Sequence, residues 1–269
     1  MADRHAAFVG SVPENYDRYL APVFFDHYAD DLAARLDVTH GMRVLEVACG
    51  TGIVTERLGR RLAGVGSLVA TDFNEPMLAY AARKALAAGV EWRQADGTKL
   101  PFDDRSFEAV VCQFGLMFFP DKVAGLREAL RVLKPGGRYL FNVWDTIERN
   151  PIARIAHETI AGSFTSDPPQ FYQVPFSLHD SAAILHWLRD VGFAAPRCDV
   201  VAKIGESPRA ADAAHGLVWG NPVYAAIMER RPEALEEIER AVAARVAAEL
   251  GDAPVRCPLQ ALVFTAGRP

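Results

Sequence analysis

Val44-Leu45-Glu46-Val47-Ala48-Cys49-Gly50-Thr51-Gly52, continued by Ile53-Val54-Thr55-Glu56-Arg57-Leu58, decides how this chain of 269 residues is read. An apolar, β-branched run ends in an acid, two glycines follow one residue apart, and apolar residues then recur at helical spacing. The pattern predicts strand, tight turn, helix. Glycine opens backbone conformations closed to other residues and lets a ligand approach the main chain, while the following helix presents unpaired N–H groups at its start. The turn is therefore expected to bind a ligand.

Upstream, residues 11 to 36 carry Tyr16, Tyr19, Phe24, Phe25, Tyr28, Leu32 and Leu36, and the spacing 25, 28, 32, 36 predicts a helical segment that covers an apolar surface. Arg43 to Val47 is the first strand; Ile53, Val54, Leu58 and Leu62 form the buried side of its helix. Ser67 to Asp72 reads as a second strand ending in an acid. Asn74 is then placed to cap a helix with Pro76 in its first turn, whose buried face is Met77, Leu78, Ala81, Ala82, Ala85 and Leu86. Val90 to Gln94 is a third strand, running into Ala95-Asp96-Gly97. Phe107 to Gln113 is a fourth. Asp121 caps a helix carrying Val123, Leu126, Leu130 and Leu133, which Lys134-Pro135-Gly136-Gly137 stops before a fifth strand, Arg138 to Trp144. Strands alternating with helices in this way specify an α/β fold: a mainly parallel sheet covered on both faces, with ligands at the carboxyl ends of its strands.

Beyond Asp145 the rhythm changes. Asn150 to His157 reads as helix, Ser166 to Pro175 as loop, Ser181 to Val191 as a helix closed by Gly192, Arg197 to Ile204 as strand six, Pro232 to Leu250 as helix and Leu259 to Ala266 as strand seven. We expect one domain over residues 1–269: a helical cover at 1–40, a ligand-binding core at 41–145, helical insertions at 146–192 and 205–256, and the last strands within 193–204 and 257–269.

Half the residues are hydrophobic and the net charge is −5, which argues against a broad electrostatic footprint for nucleic acid or an anionic membrane. Neither the start, Met1-Ala2-Asp3-Arg4-His5, nor the stretch from Phe107 to Phe119 reads as a signal or membrane span, so the cytoplasm is the expected location. Cys49, Cys112, Cys198 and Cys257 lie far apart with no C-x-x-C pair, as expected of reduced thiols without a bound metal.

The glycine turn fits either a nicotinamide or flavin dinucleotide or S-adenosylmethionine, and the third glycine of the dinucleotide fingerprint G-x-G-x-x-G falls on Thr55. Five segments in order then resemble the class I S-adenosylmethionine-dependent methyltransferases, in the subgroup similar to ubiquinone/menaquinone C-methyltransferases. They are Val44 to Gly52, Ala70 to Met77, Gln94 to Gly97 with Leu100-Pro101-Phe102, Ser106 to Gln113, and Arg131 to Arg138. The resemblance covers about residues 40 to 145 and implies the Rossmann-like seven-stranded methyltransferase sheet, with a C-terminal antiparallel strand and a helical cover.

It also implies a cofactor site. Glu46, Ala48, Gly50 and Gly52 would shape and contact the methionine part, with Cys49 carried along in the turn as a small packing residue. Many members have glycine where this chain has Ala48, which narrows the space beside the cofactor. Asp72 would accept hydrogen bonds from the ribose diol. Phe73 and Met77 would flank the adenine, Asp96 and Gly97 would bond its amine, and Gln113 would face the sulfonium; Tyr19 and Phe114 complete the set. The cover would choose the acceptor, with Tyr16, His215 and Trp219 as substrate candidates among aromatic and imidazole groups that also include His157, Phe171, Tyr172, His179 and Tyr224. Asp145, just past strand five, is the candidate base.

The expected reaction is in-line methyl transfer from S-adenosylmethionine, leaving S-adenosylhomocysteine, to a small apolar or aromatic acceptor. The expected partner is that small molecule, with no nucleic acid, membrane or metal, and the protein is expected to be a monomer or homodimer. The alternatives are a methyltransferase acting on RNA or protein, and a cofactor-binding member that does not methylate, a regulator or cyclase.

Overall fold

The computed structural model describes residues 8, 10–84 and 89–269. Parallel strands β1 (Met42–Val47), β2 (Gly66–Asp72), β3 (Val90–Gln94), β4 (Phe107–Gln113) and β5 (Leu133–Trp144) alternate with helices, as the apolar periodicity requires. Strands β6 (Ala194–Ser207) and β7 (Val255–Gly267) complete one sheet of order β3-β2-β1-β4-β5-β7-β6, with β7 antiparallel to both its neighbours. This is the Rossmann-like, mainly parallel sheet expected of a class I methyltransferase fold. Chain order reverses direction at β1, and an open α/β sheet binds ligands beside such a switch point.

Register aligns the strand ends that matter. Val47 on β1 pairs with Thr71 on β2, Glu46 with Val111 on β4, and Asp72 with Gln94 on β3. The residues just past each strand therefore collect along one edge of the sheet.

The core helices are α3 (Ile53–Leu62), α4 (Glu75–Arg83), α5 (Lys122–Val132) and α7 (Ser181–Val191), preceded in the chain by α1 (Val12–Asn15), a π-helical stretch Tyr16–Phe25 and α2 (Asp26–Ala34). The expected stripe is buried throughout: Phe25, Tyr28, Leu32 and Leu36 expose 9% or less. Between α5 and α7 lies α6 (Pro151–Gly162), and α8 (Ala210–Trp219), α9 (Val223–Arg230) and α10 (Leu235–Leu250) complete the cover. Asp121 caps α5 by accepting from the Ala124 N–H at 2.8 Å, and Gly192, at φ 109°, closes α7. Asn74 holds the N-cap position of α4, but its side chain makes no cap bond; its own N–H donates to Asp72 Oδ1 at 2.7 Å.

Several boundaries differ from expectation. Lys134 to Gly137 lie inside β5, in an irregularity where Leu133 already pairs with Phe107. The last two strands are longer than expected because β6 and β7 pair over their whole length while β5 pairs only with Ala261 to Gly267. The remainder is a two-stranded ribbon, and Gly205 on it packs so closely that a Cβ there would stand 2.4 Å from the Val23 carbonyl oxygen of the cover. The helix expected to end at His157 runs to Gly162. Ala85, Leu86 and the first five residues lie outside the described residues. Among the described residues no helix is long and apolar enough to cross a membrane, and the four cysteines are unpaired.

Candidate active site

The turn after β1 is built on backbone that few residues adopt. Ala48, Gly50 and Gly52 all have positive φ, at 58°, 56° and 83°. Asp72, at the end of the neighbouring strand, fastens the turn: its Oδ2 accepts from the Gly50 N–H at 2.8 Å. With Asn74 on Oδ1, each carboxylate oxygen carries a backbone bond. Burial pushes the Asp72 carboxyl up, opposed by these N–H donors from Asn74 and Gly50.

Above the turn opens a cavity of about 320 Å³. Nine of the residues assigned to the cofactor line it: Ala48, Gly50, Asp72, Phe73, Met77, Asp96, Gly97, Gln113 and Phe114. Asp96 Oδ1 accepts from the Thr98 N–H and hydroxyl at 2.8 and 2.7 Å, while Oδ2 has no partner among the described residues. Gln113 donates through Nε2 to the Phe25 carbonyl oxygen at 3.3 Å, leaving a buried Oε1 without a partner among the described residues. Phe114 also has positive φ, 49°, and stacks on Trp144 with ring centres 3.9 Å apart.

Four assigned residues are not on that wall. Gly52 serves the turn by starting α3 in the left-handed conformation. Cys49 packs beneath with Ala70 and Leu78. Glu46, 1% exposed, sits in the core, where its Oε2 and the hydroxyls of Thr51 and Thr55 are buried without hydrogen bonds among the described residues. Burial pushes the Glu46 carboxyl up to about 8, against the opposing effect of neighbouring Thr55. Tyr19 turns away from the cavity, edge-on to His215 at 4.8 Å.

A second, smaller cavity, about 70 Å³, adjoins the first and is lined mostly by aromatic side chains, among them Tyr16, Phe24, Phe25, Phe114, Phe118, Trp144, Phe171, Tyr172 and Phe176. Phe8, Tyr16, Phe114 and Phe118 line both cavities. The polar groups of Tyr172 and Asn221 are internally paired: the tyrosine hydroxyl donates to the Leu217 carbonyl at 2.7 Å, and Asn221 Nδ2 donates to that carbonyl at 2.9 Å and to the tyrosine oxygen at 3.2 Å.

Of the three substrate candidates, only Tyr16 lines these cavities. His215 and Trp219 converge instead on Glu239, at 2.9 and 2.7 Å, because residues four apart share a helix face and this face of α8 meets α10. Asp145 is also displaced from the expected role. Its Oδ2 accepts from Gln260 Nε2 at 2.6 Å and its Oδ1 from the Thr146 N–H at 2.7 Å, so it fastens β7 to the chain leaving β5 and lines neither cavity. His157, His179 and Tyr224 likewise lie outside both linings. Phe118 and Phe119 also line the larger cavity, and their signal in the sequence is position alone: an aromatic pair just past the end of β4.

Residues 44–137 match the family described as "Methyltransferase domain". Over 107 residues the chain is 43% identical to the ubiquinone/menaquinone biosynthesis C-methyltransferase UbiE of Idiomarina loihiensis, a match covering 38% of this chain and 43% of that protein. The chain thus spans less than half the length of that relative. Among solved structures, the YcgJ protein from Bacillus subtilis is similar with TM-score 0.61 at 16% identity, covering 90% of this chain and 98% of that one. The [4+2]-cyclase SpnF is similar with TM-score 0.58 at 22% identity, covering 91% and 82%. These two likenesses show the fold, and the second shows that the fold alone does not set the reaction. Over its core, the chain is therefore similar to the class I S-adenosylmethionine-dependent methyltransferases, among them the ubiquinone/menaquinone C-methyltransferases.

Proposed function

We propose that the chain binds S-adenosylmethionine in the larger cavity and directs its methyl group to a small, flat, apolar acceptor in the aromatic cavity beside it. One observation carries the reading: the two cavities share Phe8, Tyr16, Phe114 and Phe118, so two ligands would meet at one ring-lined boundary. When bound, S-adenosylmethionine supplies an already activated methyl group.

The residues present fit that group. Asp72, on the wall of the larger cavity, would accept from the ribose hydroxyls. Asp96 Oδ2 would accept from the adenine amine. The orphaned Gln113 Oε1 would face positive sulfur without adding a formal charge. The aromatic walls exclude water and align the acceptor.

The acceptor class rests on the cavity rather than on the relative. Only Phe114, Met117 and Phe118 of the aromatic lining fall within residues 44–137, so apart from Trp144 at the end of β5 the rest of the acceptor wall comes from this chain's own cover. The negative net charge and four free thiols support a small-molecule partner rather than nucleic acid, and a reducing location such as the cytoplasm, for a monomer or homodimer.

The test is calorimetry with S-adenosylmethionine and S-adenosylhomocysteine, followed by assay of S-adenosylhomocysteine formation against flat phenols, quinols and aromatic amines. Asp72→Ala should weaken cofactor binding by about 100-fold, as expected on losing two charge-assisted bonds. Tight cofactor binding with no product from any acceptor or from cell extract would replace methyl transfer with a binding or cyclase role.

A further inference from the structure

We propose that Lys84 and Asp17 are positioning residues that hold the aromatic boundary between the two cavities in register with the glycine turn; this rests on the function proposed above. Tyr16 stands at that boundary, its ring stacked on Phe25 at 4.8 Å and edge-on to Phe8 at 5.9 Å. It begins the π-helical stretch Tyr16–Phe25, a rare winding that is frequent at functional sites.

The next residue reaches the other way. Asp17 Oδ1 accepts from Lys84 Nζ at 2.5 Å, and its Oδ2 accepts from the Tyr80 hydroxyl at 3.4 Å. The same Lys84 ammonium donates to the Thr51 carbonyl oxygen at 3.2 Å. Thr51 is the middle residue of Gly50-Thr51-Gly52. One ammonium thus joins the cover, the end of α4 and the turn under the proposed cofactor.

The pair is shielded enough to matter, its lysine and aspartate side chains being 25% and 18% exposed. An ammonium offers three donors and can serve the carboxylate and the carbonyl together. A ligand that settles on the turn and fixes the Thr51 carbonyl fixes Lys84, then Asp17, and with it the backbone that carries Tyr16. The acceptor wall is completed when the cofactor side is filled.

The test follows amide hydrogen exchange in residues 12–25 of the full chain, with and without saturating S-adenosylhomocysteine, alongside calorimetric affinity for the same probe. In the unsubstituted protein the probe should slow exchange there by about 10-fold. In Lys84→Met and Asp17→Asn that increment should fall below about twofold, while probe affinity and the exchange rate without probe stay within about threefold. Lys84→Arg, which keeps charge and donors, should keep the increment. A pair with only a structural role would lower protection equally with and without probe. That result, or an undiminished increment in both variants, would overturn the proposal. Absence of probe binding to the unsubstituted protein, read separately by calorimetry, would overturn the cofactor reading and this proposal with it.

Discussion

A Cβ at position 115 would stand 2.5 Å from the Cβ of Ala48, so Gly115 is the space that the Ala48 methyl occupies. Ala48 has φ 58°, a conformation that costs a residue with a side chain about 1–2 kcal/mol. The chain keeps a methyl on this left-handed residue by leaving none on the residue that faces it.

Gly115→Ala should therefore lose about 1–3 kcal/mol of stability through overpacking. Ala48→Gly should be near neutral, since relief of the left-handed strain is offset by about 0.5–1 kcal/mol of added chain entropy. The double variant should be less destabilised than the sum, with a remainder because Cys112 Sγ also lies 2.8 Å from the added Cβ. Urea unfolding of the four proteins measures this coupling; additivity within about 0.5 kcal/mol would mean that the two sites do not touch.

Glu46 gives stability a pH dependence of unusual sign. Its carboxyl is raised from 4.5 to about 8 by burial, so between those values the native chain keeps a proton that the unfolded chain has lost. Unfolding then releases a proton, and stability falls as pH rises through that window, by up to about 1.4 kcal/mol per pH unit. Glu46→Gln removes this contribution, so its advantage over the unsubstituted protein should grow from pH 5 to pH 8. Parallel stability curves for the two proteins would show that Glu46 is ionised in the fold.

The same residue marks how far sequence could be read. The β1 turn, Asp72 and Asp96 were legible because strand periodicity puts each acid or glycine at a strand end, and register brings those ends together. Glu46 carries the same signature, yet its carboxyl lies in the core beside Thr55, a placement visible only in three dimensions. Tyr16 and Tyr19 are three apart and would share a face of an α-helix; π-helical winding sends one to the cavities and the other to His215. The aromatic cavity gathers rings from the cover, the end of β5, the segment after β4 and the loop before α7, a convergence that no local period announces.

Asp145→Asn separates a fastening role from a basic one. An amide can still accept from the Thr146 N–H but presents a donor, or a weaker acceptor, to Gln260 Nε2, so about 1 kcal/mol of stability should be lost. Turnover, followed as S-adenosylhomocysteine formation, should change less than about threefold. Loss of 100-fold or more, the ordinary range for a general base, would restore Asp145 to the chemistry.

Tyr16 should act through its ring and a neutral hydroxyl. Burial, with the charges of Asp72 and Asp17 nearby, pushes its phenol well above the usual tyrosine range, so it keeps its proton at every pH at which the enzyme would work. Tyr16→Phe should then leave cofactor affinity within about threefold and leave the pH–rate profile unchanged in shape. Tyr16→Ala removes the partner of Phe25 and a wall common to both cavities, and should lower turnover by about 10- to 100-fold by admitting water and loosening the acceptor. Should the unsubstituted enzyme show an alkaline step that disappears in Tyr16→Phe, the phenol is exchanging a proton in the reaction, and its assignment as a wall is wrong.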